Sequence, residues 1–305
     1  MVDKPFRIFL FLVSLLLVSC TAGILEIEIP FTRPEVVANG LILNERSEIR
    51  LTYSVDPNDT IRMNDIPIVT GAEVILSGED GSQYELSEAR QGEYVTNAQL
   101  SQGDRFTLTI EVPDENEPTI VRDLVLPPEV LDLRITSTAT TVDESDFILK
   151  RTVFSGVLTY RPQNGELSDM VVTPSFKGGR DYEFVGMTTS FSEDFINACG
   201  MVEGKYLSWP GACFISEEEI SIPFQCRFET SLNQSTGQIG TVPDSLFLDV
   251  LTVQPILNQH LNSLVNSNDA FDQVFTVPNI YVTNVENGFG VVSGATGSQF
   301  DFRLR

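Results

Sequence analysis

Few side chains in this 305-residue sequence are suited to covalent or ligand chemistry: the cysteines Cys20, Cys199, Cys213 and Cys226 and a single histidine, His260. One imidazole excludes a multi-histidine metal centre. A Ser-His-Asp hydrolase would depend on His260 alone, and no nucleophile elbow accompanies it. His260 lies in the apolar arc of a helical stretch and reads as a packed or interface residue. The cysteines lack the CxxC spacing of a structural zinc site, and the sequence holds neither a P-loop nor a dinucleotide-binding glycine motif. Carboxylates are abundant, but sequence spacing does not define the separation of roughly 5–10 Å that a glycosidase pair requires. Asp56, Asn58, Asp59, Asn64 and Asp65 supply the hard oxygens that calcium takes. Without the EF-hand glycine and bidentate glutamate they read as a polar hairpin loop. No cofactor, metal or enzymatic activity is expected.

Charge narrows the partners. Forty-three acidic residues face nineteen basic ones, a net charge of −24. That balance argues against nucleic acid and against docking on anionic lipid through a basic face.

Cys20 is set apart by what precedes it. Lys4 and Arg7 open the chain, and Ile8–Val18 is apolar except for Ser14. The run is shorter than the roughly 20 residues a membrane-spanning helix needs and suits a signal-peptide core. Its end, Leu17-Val18-Ser19-Cys20, resembles a bacterial lipobox. Residues 1–19 therefore read as a lipoprotein signal peptide, Cys20 as the lipidated residue, and 20–34 as lipidated Cys plus tether. Three cysteines then remain, an odd number for an oxidising compartment. Cys226 shares the apolar face of an alternating stretch and reads as a buried small hydrophobe. Cys199 and Cys213 lie in loop-like sequence, and a bridge between them is favoured, with the pairings that use Cys226 left open.

Residues 35–126 carry strand after strand. Glu48–Val55 alternates Ile49, Leu51, Tyr53 and Val55 with polar residues, and Phe106–Val112 repeats the pattern. Val74–Leu76 and Tyr84–Leu86 flank an Asp80-Gly81 turn, a hairpin signature. The fold expected is all-β, with two β-sandwich-like domains. Pro67–Val74 followed by a turn and Gly92-Glu93-Tyr94 resembles transthyretin-like or carboxypeptidase-regulatory-like domains, a scaffold likeness without implied activity. Pro127-Pro128 marks the boundary with a C-terminal β domain, 127–305. One helix is expected near 255–267, with Ile256, Leu257, Leu261, Leu264 and Val265 on its apolar half and Asn258, Gln259, Asn262 and Ser263 on the other. Residues 176–219 read as an irregular insert rich in rings. Tyr206, Trp209 and Phe214 within it are the candidate partner-binding residues, since aromatic anchors dominate binding surfaces.

These segments are similar to a family of bacterial lipoproteins, the domain of unknown function 4249, typical of Bacteroidota. The likeness runs through Val36-Val37-Ala38-Asn39-Gly40, Pro67–Val74, Asp80-Gly81, Gly92-Glu93-Tyr94 and Pro127-Pro128. It is most specific from the strand Leu246–Val253 through the helix to Asn284–Ala295. Phe289 and Val292 stand where the family pattern has Leu and Phe. The resemblance implies a lipid-anchored outer-membrane protein linked to TonB-dependent, SusC-like β-barrel transporters, with surface exposure favoured and a periplasm-facing orientation left open, and it carries no catalytic residues. The function expected is that of a non-enzymatic accessory subunit; the alternative is a surface glycan- or peptide-binding or adhesion lipoprotein.

Overall fold

The computed structural model describes residues 33–56, 65–143, 149–162, 168–214, 218–233, 238–267 and 282–304. The first unit has seven strands: β1 (Val36–Leu43), β2 (Ser47–Tyr53), β3 (Glu73–Gly78), β4 (Gln83–Arg90), β5 (Glu93–Thr96), β6 (Arg105–Glu111) and β7 (Thr119–Val125). Period-two alternation places Ser47, Ile49 and Leu51 inward on β2 and Phe106, Leu108 and Ile110 inward on β6. The layer β1-β2-β5 faces β4-β3-β6-β7. β4 belongs to both layers, pairing with β3 up to Leu86 and with β5 from Ser87. The core between them is almost wholly aliphatic, with Tyr94 and Phe106 its buried rings.

The second unit comprises β8 (Leu131–Asp143), β9 (Leu149–Arg161), β10 (Asp169–Lys177), β11 (Tyr182–Thr189), α1 (Glu193–Cys199), β12 (Leu207–Trp209), a single 3-10 turn (Gly211–Phe214), β13 (Ile220–Asn233), β14 (Gln238–Ile239), β15 (Ser245–Val253), α2 (Pro255–Ser267), β16 (Val285–Glu286) and β17 (Val292–Arg303). The strands β12-β10-β15-β17 face β11-β13-β9-β8. Phe154, Tyr160, Trp209, Phe224 and Phe228 fill the space between. The fold is thus all-β and sandwich-like, as expected.

Two expectations are corrected here. The stretch 176–219 is not an irregular insert: it contains the end of β10, all of β11, α1 and β12, and the 3-10 turn. Nor does Pro127-Pro128 separate two self-contained sheets. β17 runs antiparallel to β15 over Ser245–Val253 and parallel to β1, from Gly40↔Val292 to Leu43↔Ala295. β16 pairs with β7. One twelve-stranded sheet therefore passes through both units, and Val285 and Val292 belong to the first unit's core. Thr296 Oγ1 donates to the Pro127 carbonyl at 2.7 Å across this joint. Gly294 crosses the connection so closely that a Cβ there would lie 1.9 Å from the Val125 carbonyl oxygen.

α2 closes the joint from outside. Leu257 and Leu261 pack with Leu41, Leu43 and Leu251 over Val171, Val253 and Ala295, so one helix touches strands of both units. Its polarity differs from the wheel drawn from sequence: Asn258 is 3% exposed, whereas Leu264 is 43% exposed.

Candidate docking cleft

Asn258 is buried because it has partners. Asp169 opens β10 and is also buried. Its Oδ1 accepts the Gly211 backbone N–H at 3.0 Å, and its Oδ2 accepts Asn258 Nδ2 at 3.3 Å. Ser208 Oγ, on β12, donates to Asn258 Oδ1 at 2.9 Å. The network joins the start of β10, the short edge strand β12, a 3-10 turn and the first turn of α2. Buried polar groups are tolerated where their hydrogen bonds are made. Burial nevertheless pushes the Asp169 carboxyl above its ordinary pKa, and the Gly211 N–H and Asn258 amide only partly oppose this.

Above the network lies a cleft of about 430 Å³, lined by Asp169, Pro210, Ala212, Pro255, Asn258, Gln259 and Asn262. Prolines and an alanine give it stiff, apolar walls, while carboxamides and the carboxylate form its polar part. Asn262 Nδ2 donates to the Gly200 carbonyl at 3.1 Å, and Tyr206 Oη to the Leu261 carbonyl at 3.3 Å. Both bonds hold α2 against the segment 200–206. Ser192 caps α1 by accepting Phe195 N–H, and Gly200 ends it in the left-handed conformation that glycine adopts without strain.

The residues singled out from sequence fall as follows. Cys20 lies outside the described residues, as do 57–64 of the acidic loop. Cys199 and Cys213 form a disulfide, with Cα atoms 5.5 Å apart, stapling the end of α1 to the 3-10 turn. Among the described residues Cys226 is the free thiol, fully buried on β13, and burial pushes its pKa up to about 12. His260 is half-buried and meets the Val282 backbone, and burial lowers its pKa. The aromatic contact surface is corrected. Trp209 has no exposed area and donates Nε1–H to Tyr160 Oη at 3.0 Å. Phe214 is buried against Phe191 and Phe195. Tyr206 is half-buried with its hydroxyl engaged. These rings fill a core because the 200–214 segment folds back over β10 and α2. Asp169, Ser208 and Asn258 were missed from sequence; each looks like an ordinary surface residue there, and only the inversion of the helix face shows their role.

Among the described residues no cluster of three or more His, Cys, Asp or Glu could hold a metal ion, and no helix is long and apolar enough to cross a membrane. A family whose description reads "Domain of unknown function (DUF4249)" matches residues 24–300. No curated protein matches the chain. A two-domain fibronectin type-III segment of chicken tenascin is similar among solved structures, with 7% identity over 73% of this chain and 92% of that chain and a TM-score of 0.21.

Proposed function

The chain belongs to this family of unknown function, and from that premise we propose that it is a non-enzymatic, lipid-anchored protein of the outer membrane that serves as an accessory subunit of a TonB-dependent transporter or another outer-membrane machine. The observation that carries the non-enzymatic reading is the fate of its reactive groups. Cys199 and Cys213 are bonded to each other. Cys226 is sealed in the core with its thiolate disfavoured. The only imidazole packs on α2 with its charged form disfavoured. Nucleophilic and general-base chemistry need such groups accessible and poised near working pH. A side-chain-sized cleft between α2 and the 3-10 turn of the second unit suits recognition instead.

Anchoring follows from residues 1–20: acyl chains on Cys20 supply membrane affinity of about 0.8 kcal/mol per buried methylene. Cys20→Ser should leave the protein unprocessed or soluble; normal lipid labelling and membrane retention of that variant would overturn the anchor. Affinity isolation from gently solubilised outer membranes tests the role. A stoichiometric β-barrel partner is the expected result. The cleft favours a second reading, direct capture of a peptide or glycan. Isolation without any barrel, together with saturable glycan or peptide binding lost in Gln259→Trp, would establish that reading over the first.

A further inference from the structure

β8 is thirteen residues long, and among the described residues it pairs with β9 alone. Its other edge faces outward. The remaining ends of the two sheets differ: β12 has three residues, all buried, and β16 has two. β11 is bulged between Phe184 and Gly186 and bridged by Gly204 at Met187. From Thr136 to Val142 β8 contains no charge, proline or glycine. Ser137 and Ala139–Val142 are exposed, Val142 by 55%. Natural sheets protect such an edge with lysine, proline, short length, a bulge or a cover; apart from a bulge at Thr138, this stretch has none of these among the described residues.

We propose that this edge pairs antiparallel with β8 of a second copy of the chain, so that the order β11-β13-β9-β8 continues through a two-fold axis into β8-β9-β13-β11 of its partner. The occupant follows from the register. β8 carries an irregularity against β9: Ser137 pairs with Gly156 and Ala139 with Ser155, so Thr138 is an extra residue. In an antiparallel pair, side chains that meet must point to the same face. With Thr138 bulged, a two-fold axis at Ala139 meets that condition in every row. It sets Ser137 opposite Thr140, Thr136 opposite Thr141, Ile135 opposite Val142 and Arg134 opposite Asp143. Threonine pairs, β-branched pairs and opposite charges are the cross-strand combinations that stabilise a ladder. Because the axis repeats each contact, the patch is complementary to itself, as an isologous interface requires.

The charge distribution permits this contact despite the net −24. The sheet bearing β8 gathers Arg134, Lys150, Arg151, Arg161 and Arg227. Arg134 and Arg161 reach Glu219 at 3.1 and 3.6 Å, Arg161 reaches Asp132 at 3.3 Å and Arg151 reaches Glu229 at 3.0 Å. This face is locally near neutral, and repulsion from more distant acids is screened beyond about 8 Å at physiological ionic strength. The proposal is independent of the membrane anchor.

Single cysteines introduced into the full-length protein in its own membranes test it. Directly opposed residues have Cβ atoms about 4.5–5.5 Å apart, within reach of a short bis-maleimide. Ala139→Cys should give a covalent dimer, at least ten-fold more than Thr136→Cys or Thr141→Cys alone, while co-expressed Thr136→Cys and Thr141→Cys chains should crosslink to each other. Thr140→Pro, which deletes a ladder N–H, should abolish the Ala139→Cys dimer. If Ala139→Cys leaves the melting temperature unchanged yet gives no dimer, the proposal fails. It fails equally if the crosslinked product contains a different protein, or if all three single variants crosslink alike.

Discussion

The two units bury similar sheets with different materials. The first is filled by Val, Ile and Leu from strands that alternate cleanly, and the space between its layers needs little else. The second stacks rings: Phe176 and Phe184 on Phe228, Phe154 on Phe224 and Phe302, Tyr160 on Trp209, and Phe191, Phe195 and Phe214 on one another. It also holds the disulfide and the Asp169–Asn258–Ser208 network. Regular alternation fills a sandwich with aliphatic side chains. In the second unit the strands themselves bring rings, and between β11 and β13, where the chain departs from alternation, further rings and a covalent staple are added. The first kind of core rests on many interchangeable contacts, the second on a few specific ones.

That contrast is most exposed to a single substitution at Trp209. Trp209→Ala removes the largest fully buried side chain among the described residues and the hydrogen bond it donates to Tyr160 Oη. A loss of about 3–5 kcal/mol is expected, read as a fall in the thermal midpoint. A drop no larger than that of Leu76→Ala in the first core would overturn the contrast. The staple comes next. Replacing Cys199 and Cys213 by Ser together should cost about 3 kcal/mol for a loop of this length. Adding reductant should lower the midpoint of the native protein to that of the double variant and leave the variant itself unchanged.

Asp169 sharpens the comparison through pH. Its folded-state pKa is raised, so the native protein keeps this proton to higher pH than the unfolded chain does. The stability it contributes is fully present below the ordinary value of 3.8 and is lost as pH rises through the folded value. Asp169→Asn should cost about 1–3 kcal/mol near pH 4, because the new amide opposes Asn258 Nδ2. The gap should narrow as pH rises and ionises the wild-type carboxyl; a gap independent of pH would show that this carboxyl does not titrate with folding. The smallest effect belongs to the joint's surface. Arg122 Nε donates to Glu286 at 2.9 Å, but both side chains are more than half exposed. Arg122→Ala should change stability by about 0.5 kcal/mol, within the scatter of chemical denaturation curves. A multi-kilocalorie loss would mean that β16 is held by charge and not by the Val285 side chain in the first core.

The sequence made the first unit largely readable, for a physical reason. Ile49, Leu51, Phe106 and Leu108 announce their faces by position, and Gly81 at φ +87° sits at the β3–β4 turn, where Asp80-Gly81 places it. The helix Pro255–Ser267 was equally legible, since Pro255 starts it and its leucines recur at helical spacing. Its environment was not. A wheel assigns Asn258 to solvent because the wheel knows nothing of Asp169, eighty-nine residues earlier. Trp209 reads as an exposed anchor for the same reason: the sheet that covers it comes from distant strands. Local periodicity reports which face is buried, but not which edges meet, so the β1–β17 pairing left no trace in either strand.

That pairing has a consequence for the order of folding. Asn39 Oδ1 accepts the Val291 N–H across 252 residues of chain, and Gly40–Leu43 find their parallel neighbours in Val292–Ala295. The first strand to be synthesised among those described thus waits for one of the last. Loop closure over such a span adds an entropic barrier that grows with the logarithm of its length, and long-range strand pairing slows folding. Until residues 285–295 arrive, the first unit has an open edge at β1 and lacks Val285 and Val292 in its core. The first unit therefore cannot complete its core or its sheet before residues 285–295 are in place. The two units would then mature together instead of one after the other.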